Sequence, residues 1–463
     1  MTRIDESVAH ATGLLASADL ADPAAVRELI ELTTLRRSLD LSDLPPAGQA
    51  ALIAERSREL QPSADALRAR IEEAASRGRP FVAKFGIDPT GSDVHLGHVV
   101  PMLLLSRFLR MGHQVVFIVG DVTAKIGDPS GRSDERPALT DEEIARNLGT
   151  YRQQVAPFFD FTRAQFRFNG EWLREVTLPR IVEIAARIPV SMSLQRDDFR
   201  KRLDAGHGLS LAEVLYSVVM ALDSVEIDTD VEIGGLDQFL NMQMCRKVME
   251  ICGQTPELVV ATELIEGTDG TGAKMSKSRG NYVPLTAAPF EIVGKLMSIP
   301  DRLVLPYFRA LTEWRDAELA VVEERLSAGT LHPRDLKMVL ACDVAAAIHG
   351  VDAALGAREA FFAHFSRRSF STLESLPEVR DATLAVGAAV RELGFAASAG
   401  EVRRLAEGRG VRIVLEDGDE QEQAIVEVDE LRQPLSEVVR ARFGGRDGSY
   451  FLKVGRKLGQ IRL

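Results

Sequence analysis

Residues 81–98 read FVAKFGIDPTGSDVHLGH: an apolar run, a Pro/Gly turn, then two histidines three positions apart at the head of an amphipathic stretch from His95 to about Met111. A strand that turns sharply into a helix is the repeating half of an α/β unit. The alternation continues downstream in HQVVFIVG (113–120), QFRFN (165–169), DVEIGG (230–235) and ELVVATEL (257–264). This pattern predicts an α/β fold built on a Rossmann-type parallel sheet, with ligands bound where strand ends meet helix starts.

The turn itself carries chemistry. Backbone N–H groups at a helix N-terminus attract an anion, and imidazoles beside them donate to phosphate oxygens, which makes His95 and His98 candidate phosphate ligands. Taken alone, the pair fits a surface or metal-binding HxxH better. A second signal lies in EGTDGTGAKMSKSRGNY (266–282), where Gly267, Gly270 and Gly272 make a flexible loop and Lys274 and Lys277 follow it. Two mobile ammonium groups can clamp a polyphosphate and neutralise charge as it moves onto a leaving group. Alone, this too fits a solvated loop.

The chain has 463 residues, 45% of them hydrophobic, and 56 Lys and Arg against 68 Asp and Glu, a net charge of −12. That size allows two to four domains. The charge excludes a globally basic nucleic-acid coat but not a local patch. Three cysteines (Cys245, Cys252, Cys342) form no metal spacing and too few pairs for a disulfide framework. Asp5, Glu6, Asp19 and Asp22 interrupt any signal peptide, and no apolar run approaches the roughly 18 residues of a membrane span, so a cytoplasmic protein is expected.

Residues 1–80 read as a helical extension, with helices near 24–38, 47–58 and 62–77. The α/β pattern spans 81–290; helices over Asp316–Leu326 and Pro333–Phe365 mark a helical region at 291–370, and the polar stretch 366–381 reads as a linker. Within 382–463, an acidic segment (416–430, eight acids and no base) precedes a basic one, in which Arg440, Arg442, Arg446, Lys453, Arg456, Lys457 and Arg462 face one acid, Asp447.

In this order the two phosphate motifs resemble those of a class I aminoacyl-tRNA synthetase. With GDVTAKIGDPSGR (120–132), LYSVVMALDSV (215–225) and VEIGGLDQFLN (231–241), the chain is similar to the bacterial tyrosyl-tRNA synthetase family, densely over about residues 80–300. The resemblance implies ATP-dependent activation of tyrosine and transfer to tRNA in protein biosynthesis, with Mg²⁺ accompanying the ATP and no dedicated metal site. It places His95, His98, Lys274 and Lys277 at the phosphates as catalytic groups. Asp88, Thr90, Gly97, Asp237, Met275, Ser276 and Ser278 would line the ATP site; Lys84, Thr123, Asp128, Asn169, Tyr216, Met220, Asp223 and Gln238 would line the amino acid site. Asp128 would meet the α-ammonium group and Asp223 the phenol hydroxyl. The family also implies a homodimer joined through the insertion at about 135–215, an anticodon-binding role for 291–370, and an alpha-L RNA-binding domain at 382–463, whose candidate contacts are Arg403, Arg404, Arg409, Arg412, Lys453, Arg456 and Lys457.

The match departs at the amino acid site. Tyr216, Met220 and Asp223 share one helix face. The family reads YPLLQGYD where this chain has YSVVMALD, so Met220 replaces an amide that helps to hold the ammonium group. A thioether offers no donor and only a weak acceptor. A weakened or altered amino acid site is therefore expected, and a ligase for a related or modified amino acid stands beside the tyrosine reading. A catalytically silent RNA-binding relative is the third reading, which the intact HLGH and KMSKS motifs disfavour. Gly408-Arg409-Gly410 also replaces the family's Gly-Gly turn.

Overall fold

The computed structural model describes residues 2–89, 94–128, 139–194, 196–365, 376–417, 420–455 and 457–463. The chain divides into two compact units, residues 1–358 and 359–463.

The first unit is built on a six-stranded sheet: β1 (Glu59–Gln61), β2 (Val82–Ile87), β3 (Gln114–Val119), β4 (Gln165–Phe168), β5 (Val231–Gly235) and β6 (Leu258–Thr262), in the order β1-β6-β5-β2-β3-β4. β2 to β6 run parallel, as the α/β pattern predicts, and β1 closes one edge antiparallel to β6. From β2 the chain winds outward through β3 and β4, then returns to the other side of β2 for β5 and β6. The order therefore reverses between β2 and β5, the topological switch point where such sheets bind ligands. Only Ala83 with Val231 and Lys84 with Glu232 are paired there, so the two strands part beyond Lys84 and leave a crevice.

The parallel strands carry near-continuous apolar runs because both faces are covered; Val115–Val119 and Leu258–Ala261 are buried throughout. Helix Leu96–Arg110 is buried along most of its length, and its far end is fixed by charge. Arg107 and Arg110 each place a terminal nitrogen on Glu313, at 3.0 and 2.9 Å. Burial pushes the Glu313 carboxyl up, but the two guanidinium groups outweigh it and hold the group down at about 2. Arg36, in helix Pro23–Ser38, makes a second buried fork to Glu318 at 2.7 and 2.8 Å.

The N-terminal region differs from the sequence expectation in two places. Helix Arg3–Ser17 precedes the three helices expected, and β1 stands between Pro46–Ala54 and Ala64–Ser76. Three residues cannot declare a periodicity; the exposed edge of β6 makes β1 a strand. Further on, the stretch read as helical over Pro333–Phe365 is two helices, Pro333–His349 and Val351–Phe365, parted at Gly350, whose φ is 89°.

The second unit packs helices Val386–Glu392, Ala399–Glu407 and Leu435–Phe443 on a sheet of order β7-β11-β10-β8-β9. Its strands are β7 (Glu378–Val379), β8 (Val411–Asp417), β9 (Glu420–Ile425), β10 (Ser449–Val454) and β11 (Lys457–Ile461). Val390, Val402, Ile413, Leu435, Val439 and Leu452 are among its core. β7 lies inside the stretch read as a linker, because two residues pairing with β11 are too short to show in a pattern. Half of the acids of the acidic segment, Glu416, Asp417, Glu420 and Glu422, fall on β8 and β9. Two of the bases read as a patch answer it: Arg442 binds Glu430 at 2.8 Å and Arg446 pairs with Glu422.

Candidate active site

The strand β2 ends at Ile87, just before Asp88-Pro89, and the helix that follows is capped by a histidine. His95 Nδ1 accepts the Gly97 N–H at 3.1 Å, while His98 Nδ1 accepts the His95 N–H at 3.2 Å, a capping box made of two imidazoles. Because each Nδ1 is an acceptor, each ring carries its proton on Nε2. Gly97 is required: a Cβ there would stand 2.9 Å from the His95 ring. Burial, then His98 and the two loop lysines, pulls His95 down to about 2; burial, then Lys277, pulls His98 down to about 4. Both are neutral donors at neutral pH.

Across the crevice, the lysine loop is braced from several sides. Ser276 N–H donates to Asn281 Oδ1 at 2.9 Å, and Met275 N–H to the Ile265 carbonyl at 2.9 Å. Glu266 accepts from Gly272 N–H at 2.8 Å and from both terminal nitrogens of Arg302 at 2.6 Å; Arg302 also reaches the Gly270 carbonyl, and Tyr307 Oη donates to the Glu266 carbonyl. Lys274 Nζ lies 2.9 Å from Asp237 Oδ2. Glu266, Arg302 and Tyr307 escaped the sequence reading, since nothing in their spacing marks a contact between the loop and the helical region after it.

Most of the remaining candidates are joined by hydrogen bonds, in one group around Asp88, Thr123, Asn169 and Asp223 and another around Asp128. Tyr216 Oη donates to Asp88 Oδ2 at 2.9 Å and Thr123 Oγ1 to Asp88 Oδ1 at 2.7 Å. Gly120 makes room, because a Cβ would fall 2.1 Å from both the Asp88 and the Thr123 oxygens. Gln238 Nε2 donates to Asp128 Oδ2 at 2.7 Å. Asp223 accepts from Trp172 Nε1 at 2.9 Å and from Asn169 Nδ2 at 3.4 Å. Burial, only partly offset by Lys84, Trp172 and Asn169, pushes the Asp223 carboxyl up to about 7. Trp172 was missed by the sequence reading, although it stands one helical turn after Asn169 in FNGEWL. Met220 packs with Leu173, Ile181 and Ile188 around a buried cluster that includes Val218 and Val248.

These groups meet in one cavity of about 1000 Å³ at the switch point. His95, Gly97, His98, Asp237, Lys274, Met275, Ser276, Lys277 and Ser278 line it, together with Lys84, Asp88, Thr123, Asp128, Asn169, Tyr216, Met220, Asp223 and Gln238. Thr90 lies outside the described residues. In the second unit, Arg403 is exposed and paired with Glu407 at 3.0 Å, and Arg404 is exposed; Arg409 holds a φ of 55°. Arg412 stands opposite Lys453 across β8 and β10, and Lys457 Nζ donates to the Phe395 carbonyl at 3.2 Å. Arg456 lies outside the described residues.

A Rossmann-type sheet whose switch point holds an HLGH cap and a KMSKS loop defines a class I aminoacyl-tRNA synthetase. The family model of class I tRNA synthetases (W and Y) matches residues 76–366. The chain is 42% identical over 330 residues to a tyrosine–tRNA ligase of Thermotoga maritima, covering 71% of this chain and 82% of that one. It is 38% identical over 371 residues to that of Geobacter sulfurreducens, covering 79% and 91%. Its fold is similar to the tyrosyl-tRNA synthetase of Archaeoglobus fulgidus solved with L-tyrosine, with a TM-score of 0.54 and 21% identity over 67% of this chain and 100% of that one. The chain belongs to the tryptophanyl and tyrosyl family of class I tRNA synthetases.

Proposed function

We infer that this chain is a tyrosine–tRNA ligase. A carboxylate oxygen of L-tyrosine attacks the α-phosphorus of ATP and the bond to pyrophosphate breaks; a hydroxyl of the terminal ribose of tRNA then attacks the tyrosyl carbonyl of the adenylate, the acyl–phosphate bond breaks, and AMP leaves with the hydroxyl proton. The carboxylate is its own nucleophile, so no general base is required and catalysis is positioning plus charge stabilisation. His95 and His98 donate from Nε2 to the phosphate, and Lys274 and Lys277 follow charge onto the departing pyrophosphate. Mg²⁺ enters with the triphosphate, without a protein cage. The observation that carries this reading is the meeting of both phosphate motifs with the buried Asp223 in a single cavity.

Asp223 is the acceptor for the phenol hydroxyl, because Trp172 and Asn169 leave it lone pairs to spare. Asp128, steadied by Gln238, takes the α-ammonium group with the Tyr216 hydroxyl nearby. Met220 favours a second reading, in which a related or modified amino acid is activated, since it supplies no ammonium ligand where the family has an amide. Aminoacylation separates the two: tyrosine charged onto a bacterial tRNA(Tyr) transcript supports the first, and charging by a tyrosine analogue alone supports the second.

The second unit binds the tRNA. Arg412 and Lys453 are like charges directly opposite on a sheet, which repel until an anion lies over them. Arg403, Arg404, Arg409, Arg456 and Lys457 extend that contact, and residues 291–370 approach the anticodon. The working form is a homodimer in the cytoplasm. No described helix is long and apolar enough to cross a membrane. Leu178, Val182, Val190 and Leu211, in the insertion between the two halves of the sheet, are 57 to 74% exposed, an apolar set that a second copy would cover. Sedimentation at micromolar protein tests this; a monomer, or a dimer that persists when Leu178 and Leu211 are both changed to Asp, would contradict it.

A further inference from the structure

Behind the amino acid site lies a charged cluster that no step of adenylate formation uses. Lys84 on β2 is buried, with Nζ 2.9 Å from Glu232 Oε1 on β5 and 2.5 Å from Ser224 Oγ. Glu257, immediately before β6, is completely buried and does not line the cavity, whereas Lys84, Glu232 and Asp223 do. One carboxylate oxygen each of Glu232 and Glu257, and Cys245 Sγ, lie within 4.8 Å of one another. Glu232 Oε2 and both Glu257 oxygens find no hydrogen-bond donor in good geometry.

Buried polar atoms are almost always paired, and two ionised carboxylates this close in a sealed site repel strongly. One proton between them removes both difficulties. We propose that Glu257 carries a proton and donates it in a hydrogen bond to Glu232, completing a neutral Lys84–Glu232–Glu257 triad that positions the wall of the amino acid site. Burial first, and Glu232 beside it, push the Glu257 carboxyl well up. The other titratable groups facing the triad are Asp223 from helix Leu211–Ile227 and Cys245 from helix Phe239–Ile251. The cation of the cluster is the Lys84 ammonium. With Glu232 answered from behind by Glu257, Lys84 stays turned to Glu232 and leaves Asp223 open to the substrate hydroxyl. Glu257 is a positioning residue: it touches no substrate and acts through Glu232 and Lys84.

The test uses the full chain, with kinetics that rest on tyrosine activation and spectroscopy that does not. In pyrophosphate exchange, Glu257→Leu is expected to raise the KM for L-tyrosine about ten-fold with kcat within about two-fold, since it leaves Glu232 Oε2 without a donor while Lys84 still holds Oε1. Glu257→Gln, whose amide N–H replaces the proton as donor, is expected to restore the KM to within about two-fold of the parent. Infrared spectra of the parent, recorded well above pH 7 where Asp223 is ionised, are expected to show a protonated carboxyl band that disappears in Glu257→Gln. The proposal would be overturned by a Gln variant as impaired as the Leu variant, by no protonated carboxyl band in the parent above that pH, or by a stoichiometric divalent metal lost on Glu257→Gln. An unchanged tyrosine KM in Glu257→Leu would overturn it equally. Absence of exchange with every amino acid tried would fail the ligase reading instead, and leaves the infrared band to decide the protonation.

Discussion

Arg302 grips Glu266 with both terminal guanidinium nitrogens at 2.6 Å, tying the base of the KMSKS loop to the helical region that follows it. The pair is solvent-facing, so it adds little to global stability. Its effect is geometric: it fixes the backbone from which Lys274 and Lys277 project into the cavity. Arg302→Ala is expected to lower kcat for pyrophosphate exchange about ten- to a hundred-fold while leaving the tyrosine KM and the melting temperature nearly unchanged. An equal fall in stability would show a structural role instead.

Asp223 is held up at about 7 chiefly by burial, so its ionisation falls in the working range. A folded-state value raised above the ordinary carboxylate range means that stability linked to the neutral form is full at low pH and is lost as pH rises through about 7. Substrate binding runs the other way, because the ionised group is the stronger acceptor for the phenol. The tyrosine KM is expected to fall as pH rises through that value, and Asp223→Asn to flatten the profile and raise the KM about ten-fold. A pH-independent KM in the parent would remove Asp223 from that role.

That the HLGH and KMSKS motifs would share one site was legible in the sequence, because each is contiguous with its residues at fixed spacing, and both line the cavity. Much of what holds the site in place was not. Trp172 with Asp223, Tyr216 with Asp88 and Arg302 with Glu266 are contacts between distant segments, and neither periodicity nor composition records which distant partner a side chain meets. The parallel sheet could be read from its long apolar strands, whereas β1 and β7, of three and two residues, exist only because a neighbouring strand edge pairs with them.

Glu313 is likewise a long-range partner, answering both Arg107 and Arg110 at the end of the helix that starts at His95. Glu313→Gln leaves two buried guanidinium groups under-compensated and is expected to cost about 3–5 kcal/mol in urea unfolding. Its carboxyl is held down at about 2, so its contribution is present above the ordinary carboxylate range and lost as pH falls through that value. A variant as stable as the parent would show that the fork is idle.

Arg409 holds a φ of 55°, a left-handed conformation that costs a side-chain-bearing residue about 1–2 kcal/mol. Arg409→Gly is expected to stabilise the second unit by about 1 kcal/mol while weakening tRNA binding and flattening its salt dependence. Unchanged tRNA affinity would place Arg409 outside the RNA contact.

Selection of tyrosine by its hydroxyl, with activation at its carboxylate, is tested most directly by pyrophosphate exchange with ATP across the proteinogenic amino acids. The expected result is exchange with L-tyrosine and none above background with L-phenylalanine, because a buried Asp223 without its hydroxyl partner penalises the analogue. Exchange driven by another amino acid but not by tyrosine would contradict the tyrosine assignment and leave the adenylation chemistry standing.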